Sequence, residues 1–354
     1  MFRPSALAPA RPVAVVLAAA SLLLTGCKIE NASGSADGGS GPSATSSQGP
    51  AAGPSRSGPL ITEPAAGFSP VYQMIRHARR SVDVTMYEFA DTTAEHALAA
   101  AARRGVRVRV LLDQREKHVN SATFSYLAAH RVRVAWSSTR FRYTHQKTVV
   151  TDDSRAIIMT ANLTSRYYAD TRDFLVVDDS PADVSAIEKV FSADFAGRPV
   201  RPGDGRDLVW SPTGSQRQLL ALISGARHSL RIYSEEMADT TVDDALISAA
   251  RRGVRVRVCA ENIDGAYDSA FTRLTSAGVR ISYFSSSHGF YIHGKVIEAD
   301  YGTRRARAFI GSENFSSTSL NDNRELGLIT SNHKVLSSLA RTFAADFRAG
   351  KRWQ

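Results

Sequence analysis

Two hydrophobic periods alternate along most of the chain. Runs such as SVDVTMY from Ser81 and VRVRVLL from Val106 place apolar residues at every second position, the period of a half-buried strand. Between them TTAEHALAAAARR has apolar residues at helical spacing, with Thr92 and Glu95 placed as a capping box and Gly105 just past the end. Strand, helix and strand in that order predict a βαβ unit. Further strands are expected at 131–137, 146–152, 156–162 and 173–177, and helices near 69–80, 119–129 and 182–196.

The same order then recurs. SVDVTMYEFADTTAEHALAAAARRGVRVRVLLDQ, from Ser81, aligns without a gap to SLRIYSEEMADTTVDDALISAARRGVRVRVCAEN, from Ser229, an offset of 148. Each copy is domain-sized rather than a solenoid unit, so the body reads as a fused pseudo-dimer with an approximate two-fold axis. The expected domains are 61–205 and 206–354, joined through the Pro/Gly/Asp-rich stretch at 197–205. Each is an α/β sandwich on a mixed sheet.

Before this body the pattern changes. Arg3 and Arg11 flank the start of an apolar run from Val13 to Leu24, too short to cross a bilayer but suited to a signal peptide. Its ending, Leu24-Thr25-Gly26-Cys27, resembles the lipobox of bacterial lipoproteins, which implies a signal peptide at 1–26 and a lipid anchor at Cys27. Residues 27–60, rich in Ser, Gly, Ala and Pro, lack the apolar residues to offset ordering entropy and read as a disordered tether. The expected location is the outer face of a bacterial membrane.

Composition narrows the picture further. The chain has 354 residues, 43% hydrophobic, so disorder throughout is excluded and a sizeable core is available. A formal charge of +10, falling to +8 once Arg3 and Arg11 are removed, favours anionic partners without choosing among phosphate, nucleic acid and acidic lipid. Two cysteines exclude a disulfide scaffold and a zinc site built mainly on thiolates. With Cys27 acylated, Cys259 has no partner, and in VRVRVCA it reads as a buried inert thiol.

Two segments carry chemistry. YTHQKTVVTD supplies His145, Lys147 and Asp152, and YIHGKVIEAD supplies His293, Lys295 and Asp300 at the same spacing and the same offset of 148. On a strand, a two-residue spacing points His and Lys to one face. Downstream, Thr160 and Asn162, and Ser312 and Asn314, pair in the same way. Each half thus offers an imidazole, an ammonium, a hydroxyl and an amide, donor-rich chemistry suited to a phosphoryl group. Asp173 and Glu325 follow, each able to fix a histidine tautomer.

At these residues the chain resembles the phospholipase D superfamily, whose signature is HxKxxxxD followed by GSxN. The resemblance covers residues 65–350. It implies two tandem phospholipase D-like α/β/α domains with the active site at their interface, no metal and no cofactor, and a covalent phosphohistidine. One histidine would attack phosphorus while the other protonates the leaving oxygen. His145 is the expected nucleophile, as in single-chain members with two motifs, with reversed roles left open. Lys147, Lys295, Asn162 and Asn314 would bind the non-bridging oxygens with Thr160 and Ser312 beside them. Asp152 and Asp300 complete the catalytic motifs as supports of their loops rather than as acid/base groups.

Two departures stand out. Met159-Thr160 replaces the Gly-Ser of the signature in the first half. The second half is four residues longer between Asp300 and Gly311, where Arg304, Arg305 and Arg307 form a solvated hairpin tip or a basic lip over the cleft. The repeated arginines, Arg103, Arg104, Arg107 and Arg109 with Arg251, Arg252, Arg255 and Arg257, read as stems covering a layer edge rather than a nucleic-acid stripe. Phe141, Tyr143, Tyr167, Tyr168, Phe284, Phe290 and Tyr291 flank the motifs as core or pocket lining, and His118 and His288 as surface residues. The expected activity is hydrolysis of phospholipid head groups by a monomer. The alternatives are a nuclease using the same chemistry, a phosphatidyl transferase, and a silent binding module.

Overall fold

The computed structural model describes residues 60–203 and 205–354. The signal peptide, Cys27 and the tether up to residue 59 lie outside the described residues. Leu60, assigned to the tether from sequence, is already in a strand, Leu60–Thr62, at the edge of the first sheet.

Each half is built on one mixed sheet with the same strand order. In the first, the strands run Leu60–Thr62, Phe174–Asp178, Arg155–Met159, Thr148–Thr151, Ser81–Met86, Arg107–Leu112 and Arg133–Trp136. The last three are mutually parallel, as the βαβ pattern requires, and the others are antiparallel. The second sheet repeats the order as Leu208–Ser211, Glu325–Thr330, Arg307–Gly311, Val296–Ala299, Ser229–Ser234, Arg255–Glu261 and Arg280–Phe284, then adds Lys351–Arg352.

Three helices cover the outer face of each sheet: Ser69–His77, Thr92–Arg103 and Lys117–Ala129 in the first half, Ser215–Gly225, Thr240–Arg251 and Asp268–Ser276 in the second. The last helix of each half, Pro181–Phe195 and His333–Ala349, lies on the inner face. There, Val184, Phe174 and Val176 of one half share a single core with Trp210, Tyr233, Leu326 and Phe343 of the other. The halves are therefore one packed body joined through a shared apolar core.

One local expectation is corrected. Thr92 does not cap its helix: the side chain of Asp91 accepts from the amides of Thr93 and Ala94, and Asp239 does the same for the matching helix. A carboxylate at that position also meets the positive end of the helix dipole. Glu95 instead turns inward and accepts from Thr123 Oγ1 at 2.6 Å.

Candidate active site

The two motifs approach each other across the interface by exchanging backbone contacts. Before the first, Thr144 pairs with Arg324, and the amides of His145 and Gln146 both donate to the Arg324 carbonyl. Before the second, Tyr291–Ile292 forms a two-stranded parallel sheet with Thr171–Arg172, and the His293 amide donates to the Arg172 carbonyl. Each motif is thus fastened to the segment just ahead of the other half's downstream acid.

That swap decides which carboxylate holds which histidine. His145 Nδ1 lies 2.9 and 3.0 Å from the two oxygens of Glu325, and His293 Nδ1 lies 2.8 Å from Asp173. An ionised carboxylate can only accept, so each Nδ1 carries a proton and Nε2 is the nitrogen left for chemistry. The partnerships cross the interface, so neither half has a complete site alone. Glu325 is itself held by Ser319 (2.7 Å) and Asn323 (2.9 Å). Burial pushes the His145 imidazole toward its neutral form. Glu325 opposes this, while Lys147 and Lys295 assist it.

The two motif lysines lie close enough for the charge of Lys295 to act on Lys147. Both are buried, and each ammonium donates to the carbonyl of its own motif histidine, Lys147 to His145 at 2.5 Å and Lys295 to His293 at 2.6 Å. Burial, reinforced by Lys295, pushes the Lys147 ammonium down to about 7. A bound phosphate would reverse that shift by supplying the missing counter-charge. Asn162 and Asn314 border the same space. Asn162 Nδ2 is 3.4 Å from Glu88, and the side-chain oxygen of each asparagine is buried without a hydrogen bond, so either amide can turn its NH2 to a phosphate oxygen.

Two pairs of motif residues lie outside the phosphate space. Thr160 and Ser312 do not reach the phosphate space: both are fully buried behind the strands that carry the acids. Thr160 Oγ1 donates to Asp173 (2.5 Å) and accepts from the Phe174 amide (2.9 Å), and Ser312 Oγ accepts from the Leu326 amide (3.1 Å). Asp152 and Asp300 lie at the far ends of the motif strands, ~20 Å along the chain from the histidines. They do not join the catalytic cluster. Asp152 accepts from the amides of Arg79, Arg80 and Ser81, and Asp300 from those of Arg227, His228 and Ser229. These amides hold both carboxyls below their usual range despite burial. Both aspartates have positive φ, 56° and 54°. The exposed turn with Arg304 and Arg305, and Arg307 at the start of the strand that follows it, are at that same distal end, so the arginines form a hairpin tip and no lip over the cleft.

Other flanking residues divide by role. Tyr143 packs edge-on against Tyr87, and Tyr291 lies against His293 at a ring distance of 5.8 Å, so both line the site. Tyr168 stacks on Phe68 and bonds Asp91, Phe141 carries the Arg324 guanidinium, Phe290 carries that of Arg172, and Tyr167 is exposed. Phe284 packs against Phe290, and His118 is exposed. Arg109 is not part of a surface stripe: it grips Asp83 at 2.6 and 2.7 Å under Phe191. Cys259 is a buried free thiol that burial holds protonated.

Several functional residues escaped sequence reasoning. Arg172 and Arg324, directly before the two acids, pair across the interface with Asp346 (2.7 and 2.9 Å) and Asp194 (2.9 and 3.3 Å). The repeated R[DE] and ADF triplets were the available signal. Glu88, Glu235 and Tyr87 also border the histidines, and Glu236 neighbours Glu235. Glu235 pairs with Lys295 at 2.6 Å, approaches His293 Nε2 at 3.7 Å and accepts from Tyr291 at 2.5 Å.

Comparison with known proteins agrees with this geometry. The family described as "Cardiolipin synthase, PLD-like domain" matches residues 71–195 and 219–347, one copy per half. Cardiolipin synthase A of Pseudomonas entomophila is 31% identical over 140 residues, and that of Pseudomonas putida strain GB-1 is 34% identical over 142; each match covers 38% of this chain. The matched region spans 29% of either relative's length. Phosphatidylserine synthase of Haemophilus influenzae superposes with a TM-score of 0.63 over 83% of this chain and 87% of its own, at 14% identity. Polyphosphate kinase of Porphyromonas gingivalis superposes at 0.67 over 82% of this chain and 47% of its own, at 16% identity. These two share the fold. With both halves matched by the family and two HxKxxxxD motifs meeting at one interface, the chain belongs to the phospholipase D superfamily.

Proposed function

We propose that this protein cleaves phospholipid head-group phosphodiesters through a phosphohistidine on His145, with His293 as the acid. The observation that carries the proposal is the crossed pairing of each histidine with the other half's carboxylate, which leaves two Nε2 atoms at one pair of lysines. The Nε2 lone pair of His145 attacks phosphorus. The bond from phosphorus to the head-group oxygen breaks, and His293 Nε2 gives that oxygen its proton. In the second step His293 takes a proton from water, the water oxygen bonds to phosphorus, and the P–N bond to His145 breaks. Lys147, Asn162 and Asn314 hold the non-bridging oxygens.

Lipid is favoured over nucleic acid by the relatives, which are named cardiolipin synthases. Transfer to an alcohol in place of water is the second reading, supported by the cardiolipin synthase relatives. A lipid anchor at Cys27 would hold the site beside its substrate.

The test is the full chain in mixed micelles, with chelator, offered phosphatidylcholine or plasmid DNA, each with and without added glycerol. Choline release with intact plasmid is the expected result. Nicked plasmid with untouched lipid would overturn it. Phosphatidylglycerol formed in preference to phosphatidic acid would establish the transferase reading.

A further inference from the structure

The position of Tyr87 in the first half is taken by Glu235 in the second, and this one exchange makes the two motifs electrically different. On the first side Tyr87 lies over Lys147, ring centre 4.9 Å from the ammonium, and packs edge-on against His145 at 4.5 Å. Its hydroxyl turns away to Glu116. Among the described residues, no carboxylate forms an ion pair with Lys147. On the second side the Glu235 carboxylate pairs with Lys295 and stands beside His293 Nε2.

An uncompensated ammonium next to an imidazole favours the neutral ring, which a nucleophile needs. Lys147 has that effect on His145. A carboxylate that neutralises the ammonium removes the penalty, which an acid needs. We propose that Glu235 is a positioning residue that divides the labour: paired with Lys295, it keeps His293 as the proton-bearing partner and leaves Lys147 as the lysine free for the substrate phosphate. The inference rests on His293 being the acid of the proposed reaction.

The surroundings suit that role. His293 faces Asp173, Glu235, Lys295, Tyr291 and Glu88; Glu235 also faces Glu236 and Glu261. Burial opposes charge on Glu235, but Lys295, His293 and the bond from Tyr291 hold it ionised, below the usual carboxylate range. Glu236 and Glu261 are each pushed up to about 7, mainly by burial and further by Glu235. Near neutral pH the carboxylate touching Lys295 is therefore the one that keeps its charge.

Leaving-group chemistry tests this. Single-turnover release is measured in full-chain Glu235→Gln, Glu235→Asp and His293→Asn for phosphatidylcholine, whose alkoxide must be protonated, and phosphatidyl-p-nitrophenol, whose phenolate need not be. Glu235→Gln is expected to lose ~10²-fold on phosphatidylcholine, under about threefold on the nitrophenyl ester, and to move the alkaline limb of kcat/KM to lower pH. Glu235→Asp should recover most of the rate. Equal losses on both substrates, or an unmoved alkaline limb, overturn the role of Glu235. If His293→Asn itself loses both substrates equally, the assignment of His293 as acid fails instead.

Discussion

The two halves differ least where the histidines are held and most where their charge is set. Asp152 and Asp300 bind three successive amides in the same way, Thr160 and Ser312 brace the same strand, and Arg324–Asp194 mirrors Arg172–Asp346. Beside the rings the copies diverge. Tyr87 corresponds to Glu235, and behind the strands Met159, Ala161 and Leu175 occupy the room that Gly311, Glu313 and Gly327 occupy in the other half. That second set is a compensated exchange: a Cβ on Gly311 would lie 2.6 Å from Gly327 Cα and 2.4 Å from the Glu313 carboxylate. Where the first half has a large residue, the second has a glycine, and the alanine becomes a glutamate. Scaffold symmetry and chemical asymmetry are thus separable properties of one duplication.

The strongest test of that separation is at the histidines. His145→Ala should remove turnover with every leaving group, by ~10⁴-fold or more, and leave no covalent phosphatidyl adduct in acid-quenched protein. His293→Asn should still form the adduct with the nitrophenyl ester. An adduct on His293 in the wild type would reverse the comparison.

Next in size is the shared scaffold. Arg324→Met strands the buried carboxylate of Asp194, and loss of one partner of a buried pair costs about 3–5 kcal/mol. Arg172→Met strands Asp346, which keeps its bond from Tyr233 (2.7 Å), so the smaller loss is expected there. Urea unfolding of both variants checks the order. Equal or inverted losses would show that the bond from Tyr233 does not spare Asp346.

A smaller effect separates function from stability at Lys147. The folded protein holds this ammonium at about 7, below its unfolded value of 10.5, so the unfolded chain binds more protons between those limits and stability rises with pH across them. Lys147→Met should abolish turnover yet raise the melting temperature, most clearly below pH 7 and fading toward pH 10. An unchanged or lowered melting temperature at pH 6 would mean that the bond to the His145 carbonyl outweighs the burial of the charge.

How much of this could be read from residues alone follows the same division. The duplication, the strand order implied by repeated βαβ units and the eight-residue span of each HxKxxxxD motif are local patterns, so the fold and the pair of histidines were legible. The crossing of Asp173 to His293 and of Glu325 to His145 was not, because the sequence spacing of an acid from a histidine says nothing about which half it faces. Thr160 and Ser312 misled for a related reason: a hydroxyl two residues from an asparagine has the right donor chemistry, but its strand faces the acid rather than the substrate. Glu235 was invisible because its alignment partner is a tyrosine, and a repeat draws attention to what is shared.

The subtlest difference between the halves is Glu313. It is fully buried, neither carboxylate oxygen has a hydrogen bond of good geometry, and burial with Glu325 nearby raises it well above 4.5, against the opposing pull of nearby backbone amides and Lys147. A carboxyl raised on folding binds its proton more tightly in the folded state, so its stability contribution is complete below pH 4.5 and is lost as pH rises toward the folded value. Glu313→Gln removes the titration while keeping the volume. The variant should match the wild type near pH 4 and exceed it by ~1 kcal/mol or more at pH 8, measured by urea unfolding at both pH values. Ala161→Glu in the first half lacks the two glycines that make room, and should destabilise at either pH. A Glu313→Gln variant less stable than the wild type at pH 8 would show that the charge at this position is compensated after all, and that the halves differ there in packing alone.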